Sequence, residues 1–151
     1  MTGAGDLRDL YQEVVLEHSK RPRNYRAMED ATATAQGFNP LCGDQLTLFL
    51  KVQDGVVKEV SFVGQGCAIS RASASLLTGA VKDKTAAEAL GLFQKVHLLV
   101  TEGPSKVSPE EVGKLAVLSG VSEFPARVKC ASLAWHTLKA ALEGQGQVST
   151  E

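Results

Sequence analysis

Residues 45–63 read QLTLFLKVQDGVVKEVSFV, and their reading decides the fold. Leu46, Leu48, Leu50 and Val52 recur at every second position, the period of a half-buried strand. Asp54-Gly55 supplies the positive backbone angles of a two-residue turn, and "VVKEVSFV" returns with β-branched residues. Two strands alone are marginal, so "ATATAQGF" (31–38) is expected to complete a small three-stranded antiparallel sheet.

Helical patterns flank the hairpin. Upstream, Asp6 is suited to cap a helix whose face carries Leu7, Leu10, Tyr11, Val14 and His18, and Pro22 ends it. His18 on that face reads as a packed or edge histidine. Downstream, "CAISRASASLLTGAVKDK" begins at Cys67 and is built of small residues and good helix formers. Thr85 and Ser108 cap the next two helices, "TAAEALGLFQKVHLLV" and "SPEEVGKLAVLSG", with Pro109 at the first helical position of the second. His97 within the first reads as structural. A last helix runs from near Pro125 to about Glu143. Strands followed by a run of helices give one α+β domain over residues 6–143, helices packed on a sheet. Residues 1–5 and the tail "GQGQVSTE" (144–151) are expected to be disordered.

Bulk properties exclude several classes of function. The 151 residues suffice for one domain with a true core, and 44% hydrophobic with 22% charged residues is ordinary for a soluble protein. A net charge of -1 gives no global attraction to nucleic acid or to an anionic membrane. The basic run Lys20, Arg21, Arg23 and Arg26 reads first as a solvated loop and second as a docking patch for an acidic partner. No secretory signal and no membrane-length apolar run is visible, so the expected location is cytoplasmic.

Three cysteines, an odd number, do not suggest a disulfide framework in a reducing compartment. Metal or sulfur chemistry is the sharper reading and inert buried thiols the plainer one. Cys42 lies in "NPLCGD" (39–44), four residues before Leu46; Cys67 lies in "GQGCAIS" (64–70), four after Val63. The hairpin brings Leu46 and Val63 to one end, and loops of that length let the two thiols meet. Cys67 opens a helix, where the dipole and unpaired N–H groups favour thiolate. Gly64 and Gly66 read as a tight strand-to-helix connection. Cys130 falls about 110° from the centre of the stripe formed by Val128, Ala131, Trp135, Leu138 and Leu142, on its shoulder. His136 points about 120° away from Cys130 and is a poor co-ligand, read as a surface or edge residue. Asp44 could be the fourth group of a tetrahedral site, or a mere turn residue. Three sulfurs and one oxygen suit Zn²⁺, although no CxxC is present.

"LYQEVVLEHSKRPRN", "NPLCGD", "GQGCAIS" and "FPARVKCASLAWHTL" together resemble the IscU/SufU iron–sulfur assembly family, which shares its fold with the NifU N-terminal domain, over roughly Leu10 to Glu143. The resemblance implies a SufE/NifU-like fold of three antiparallel strands with helices packed on them. It also implies that Cys42, Asp44, Cys67 and Cys130 form one exposed site. Lys129 stands where IscU-type scaffolds carry histidine, and the segment between Cys67 and Cys130 is long; both features resemble SufU. Arg26 departs from the glycine common in relatives, within the basic loop and away from the ligands.

SufU-type proteins are similar in binding zinc through three cysteines and an aspartate. They take sulfur from the persulfide of a pyridoxal-phosphate cysteine desulfurase (SufS-like) and pass it to downstream iron–sulfur assembly proteins. By that resemblance Cys42 is the sulfur acceptor and a metal ligand with Asp44, Cys67 and Cys130, and Arg127 assists docking or transfer. Two alternatives stand beside it: a scaffold for a labile [2Fe–2S] cluster or iron, and a zinc-stabilised interaction domain without chemistry.

Overall fold

A computed structural model describes residues 4–40, 43–103, 107–123, 125–144 and 146–149. Helix α1 (Ala4–Lys20) leads into strands β1 (Ala33–Asn39), β2 (Asp44–Gln53) and β3 (Val56–Gln65). Helices α2 (Ala68–Val81), α3 (Ala86–Glu102) and α4 (Pro109–Val112), a 3₁₀ segment (Gly113–Glu123), helix α5 (Pro125–Leu142) and strand β4 (Gln147–Ser149) follow. The α+β architecture is as expected, with helices packed on a sheet of order β3-β2-β1-β4.

The hairpin forms as its sequence dictates. Asp54 and Gly55 both have positive φ, 54° and 76°, the pairing that matches the twist of the flanking strands. Leu46, Leu48 and Leu50 point into the core from β2, and Thr47 lies opposite Val63. On β1, Gly37 permits a close approach: a Cβ there would overlap the Thr137 hydroxyl on α5. Trp135, fully buried, sits at the centre of the α5 contribution.

Three expectations are corrected. The sheet has four strands, not three: β4 comes from the tail expected to be disordered and pairs parallel with β1 through Gln36–Gln147, Gly37–Val148 and Phe38–Ser149. Gly144, at φ 78°, turns the chain after α5, and Gln36 N–H donates to the Gly146 carbonyl at 2.8 Å. What orders this polar segment is the open edge of β1, a long-range partner. At the other end, α1 already begins at Ala4, two residues before the expected cap, so residues 4–5 are helical. The side chains of Leu7, Leu10 and Tyr11 lie outside the described ones; over the rest of α1, burial centres on Val15 and Ser19, flanked by Val14 and His18. Third, the helix expected after Ser108 lasts one turn. Ser108 and Glu111 do cap it reciprocally, but Gly113 at φ 59° breaks it into the 3₁₀ segment.

His136, read as a surface or edge residue, is half-buried, its ring centroid 5.2 Å from Phe93 and 5.5 Å from His97. The basic loop is exposed, with Arg23 and Arg26 paired to Glu17 and Glu59. No described helix is long and apolar enough to cross a membrane.

Leu48→Ala, at a fully buried position, is expected to lower the unfolding free energy by about 2–5 kcal/mol in denaturant titration. Leu98→Ala, at an exposed site on α3, should cost less than about 1 kcal/mol. Burial, then the neighbouring His97 and Lys139, hold the His136 ring below its ordinary value of 6.5. Folding therefore favours the neutral ring: its contribution is whole above the unfolded value and lost as pH falls through the lower folded one. Stability should decline on acidification below about pH 6.5, and His136→Gln should reduce that slope.

Candidate metal centre

Strand β1 ends and β2 begins with a directly paired couple, Asn39 opposite Asp44. Asp44 belongs to the same face of β2 as Leu46, Leu48 and Leu50, so its carboxylate enters the end of the core and is only 2% exposed. A buried carboxylate is stable only with partners. Oδ1 accepts the Cys67 N–H at 2.9 Å, and Oδ2 accepts the Asn39 side-chain amide at 3.2 Å.

Cys67 occupies the position before α2 usually filled by serine or aspartate. Its backbone is extended (φ -70°, ψ 168°), and its Sγ accepts the Ser70 N–H at 3.4 Å. The preceding glycine has a steric reason: a Cβ on Gly66 would sit 2.6 Å from Asp44 Oδ1. Glycine at this position lets the β3–α2 connection lie against the carboxylate. Gly64 is fixed at the same corner, its carbonyl accepting the Tyr25 hydroxyl at 2.6 Å.

Cys130 lies in the second turn of α5, buried at 3% exposure, deeper than the shoulder position expected of it. The reason is that α5 packs against α2, α3 and the sheet at once, leaving little of its circumference to solvent. The Asn39 amide approaches Cys130 Sγ at 3.6 Å as well as Asp44. Ser73 on α2 donates to the Ala131 carbonyl at 2.5 Å, tying the helix of Cys67 to the helix of Cys130.

The carboxylate oxygen of Asp44 and the sulfurs of Cys67 and Cys130 all lie within 4.8 Å of one another. Ligands of a tetrahedral zinc ion stand about 3.3–3.8 Å apart, so small side-chain adjustments suffice. Two thiols and a carboxylate are a fitting donor set for such an ion. Asn39 Oδ1, buried beside them without a hydrogen-bond partner, marks a place where a cation or a donor would be satisfied. The resemblance implied one exposed site; of the described members Asp44 and Cys130 are buried and Cys67 is half-buried. Cys42 lies outside the described residues. Arg127 is exposed, in the first turn of α5 and three residues before Cys130. His136 and His97 stand together elsewhere, against Phe93.

Asn39 is the member that sequence reading missed. The sequence shows only an amide directly before Pro40, beyond the expected strand 31–38; the pairing of Asn39 with Asp44 gives it its place.

Residues 10–131 match the family model described as the NifU-like N terminal domain. The chain is 39% identical over 137 residues to "Iron-sulfur cluster assembly scaffold protein IscU" of Streptococcus pyogenes, covering 91% of this chain and 85% of that one. It is 37% identical over 139 residues to "Zinc-dependent sulfurtransferase SufU" of Bacillus subtilis, covering 92% and 93%. Among solved structures, a putative iron–sulfur cluster assembly scaffold protein for the SUF system from Fervidobacterium islandicum superposes with a TM-score of 0.82. That match has 30% identity and covers 89% of this chain and 98% of the other. The chain thus belongs to the NifU-like N-terminal domain family.

Proposed function

We propose that the protein is an iron–sulfur cluster assembly protein that accepts sulfur from a cysteine desulfurase in a zinc-dependent manner. One observation carries this: two thiols and a buried carboxylate from separate elements converge within 4.8 Å, in a chain 37% identical to a relative named as a zinc-dependent sulfurtransferase. Lys129 in place of histidine and the long segment between Cys67 and Cys130 support the SufU branch.

In this reading Cys42, Asp44, Cys67 and Cys130 hold the zinc, which keeps the thiols deprotonated and protected from oxidation. Cys67 is fixed at the start of α2, Cys130 within α5, and Asp44 by two hydrogen bonds. Cys42, between Pro40 and Gly43 in sequence, is then the thiol that costs least to displace. Its thiolate attacks the outer sulfur of the desulfurase persulfide. A new S–S bond forms on Cys42, the S–S bond of the enzyme breaks, and the enzyme cysteine leaves as thiolate, with no net oxidation. Arg127, exposed one turn before Cys130, assists docking of the desulfurase or the transfer. The partner is a pyridoxal-phosphate enzyme of SufS type, the sulfur goes on to downstream assembly proteins, and the location is cytoplasmic.

The similarity to IscU of Streptococcus pyogenes favours a second reading, a scaffold on which a labile [2Fe–2S] cluster is built and handed on. Anaerobic reconstitution with iron and sulfide separates the two. A stable coloured cluster that moves to an apo-acceptor supports the scaffold; desulfurase stimulation that needs zinc and no iron supports sulfur transfer.

Cys42→Ala protein that still folds is expected to lose sulfur acceptance to background, measured as persulfide on the protein after incubation with desulfurase and cysteine. Retained acceptance contradicts the role given to Cys42. Asp44→Asn, Cys67→Ser and Cys130→Ser should each lower the zinc content of purified protein and its melting temperature together. Asn39→Ala, which removes only the amide behind two ligands, is expected to weaken zinc binding about 10–100-fold in chelator competition.

A further inference from the structure

A cavity of about 570 Å³ opens between the end of α1, one face of α2 and the α4–3₁₀ corner. That volume is within the range of small-molecule sites. None of its lining residues belongs to the cysteine–aspartate group. Its charge is one-sided. Arg23, Lys84, Lys114 and His18 line it, against a single carboxylate, Glu111. That carboxylate is already engaged, pairing with Lys95 at 3.7 Å and accepting the Ser108 N–H at 3.1 Å. Among the described residues neither Lys84 nor Lys114 forms an ion pair.

The backbone of the cationic side is tethered to α2, while the half-exposed Arg23 guanidinium pairs with Glu17 at 3.2 Å. Ser75, 1% exposed, accepts the Arg23 backbone N–H at 2.7 Å and pairs with His18 Nδ1 at 2.7 Å through its hydroxyl, fixing the Arg23 main chain and the His18 ring to α2. The opposite wall is apolar, formed by Leu76, Ala80, Leu92, Val112 and Leu115. Gly79 lies between these walls in the interior of α2, where a Cβ would meet nothing within 4 Å. Glycine weakens a helix interior, and here it leaves the cavity unfilled.

We infer that this cavity binds a small soluble phosphate monoester, its phosphate held by Lys84 and Lys114, with Arg23 exchanging its Glu17 partner for it, and its less polar body against Leu76, Leu92 and Leu115. Unpaired ammonium groups beside a guanidinium complement a dianion. The His18 ring reports on occupancy. Burial, then Arg23, hold its value down, with Glu17 opposing and Lys114 adding to the depression. A bound anion among these cations should raise it.

The test is titration of the zinc-loaded full chain with AMP, followed by calorimetry and by the His18 ring resonances. Saturable binding is expected, with a rise in the His18 titration midpoint. Lys84→Ala and Lys114→Ala should each weaken it about tenfold, and Lys82→Ala, on an exposed residue outside the cavity, should leave it unchanged. Gly79→Phe should abolish binding while leaving thermal stability undiminished, which separates occlusion from unfolding. Inorganic phosphate should compete more weakly than AMP, and adenosine should not bind. Three results would overturn the assignment: no saturation, binding indifferent to both lysine variants and to Gly79→Phe, or citrate binding as tightly as AMP. None of these outcomes depends on sulfur acceptance by Cys42.

Discussion

The carboxylate of Asp44 stands where the alternation of β2 would place another core leucine, at the end of the row Leu50, Leu48, Leu46. An ionised group so placed is tolerable only if its lone pairs are met. Two of the donors come from different parts of the chain: the Asn39 amide at the end of β1 and the Cys67 N–H at the start of α2. Meeting that need pulls the three ends together. The Gly66 requirement, the thiol cap of α2 and the buried position of Asn39 are consequences of one charge held inside the fold.

The helices supply the stiffness. Small residues along α2 allow close contact with α1 and α5, and their hydroxyls are spent on specific tethers: Ser73 to α5, Ser75 to the α1–β1 loop, Thr78 to Asn24. The sulfurs of Cys67 and Cys130 are therefore carried by two helices joined to each other and backed by the sheet. Two thiols and the Asp44 carboxylate are thus presented by one rigid frame.

Much of this was legible in the chain because the signals were local. Asp54-Gly55 and the alternating leucines specified the hairpin and hence the sheet end toward which Cys42 and Cys67 lie in sequence; the irregularity between Lys51 and Val52, which shifts the register by one and sets Thr47 opposite Val63, carries no such signal. The Thr85–Glu88 capping box was equally local, and Glu88 closes it by accepting the Thr85 N–H at 2.9 Å. Features set by distant partners were not legible. β4 exists because β1 has an open edge, which no property of "GQGQVSTE" announces. Cys130 is buried because α5 is covered on several sides, so a single apolar stripe understated its depth. Gly113 was visible as a residue, but its positive φ, which ends α4 after one turn, follows from packing of the 3₁₀ segment against α1, α3 and α5. Asn39 escaped because a polar side chain before proline reads as a turn until its strand partner is known to be Asp44.

Zinc-edge X-ray absorption of the purified full chain addresses the central claim most directly, since it reports the atoms around the ion and their distances. Three sulfur neighbours near about 2.3 Å and one oxygen near about 2.0–2.2 Å are predicted. A shell of nitrogen and oxygen alone, or one unaltered by Cys130→Ser, would contradict the account.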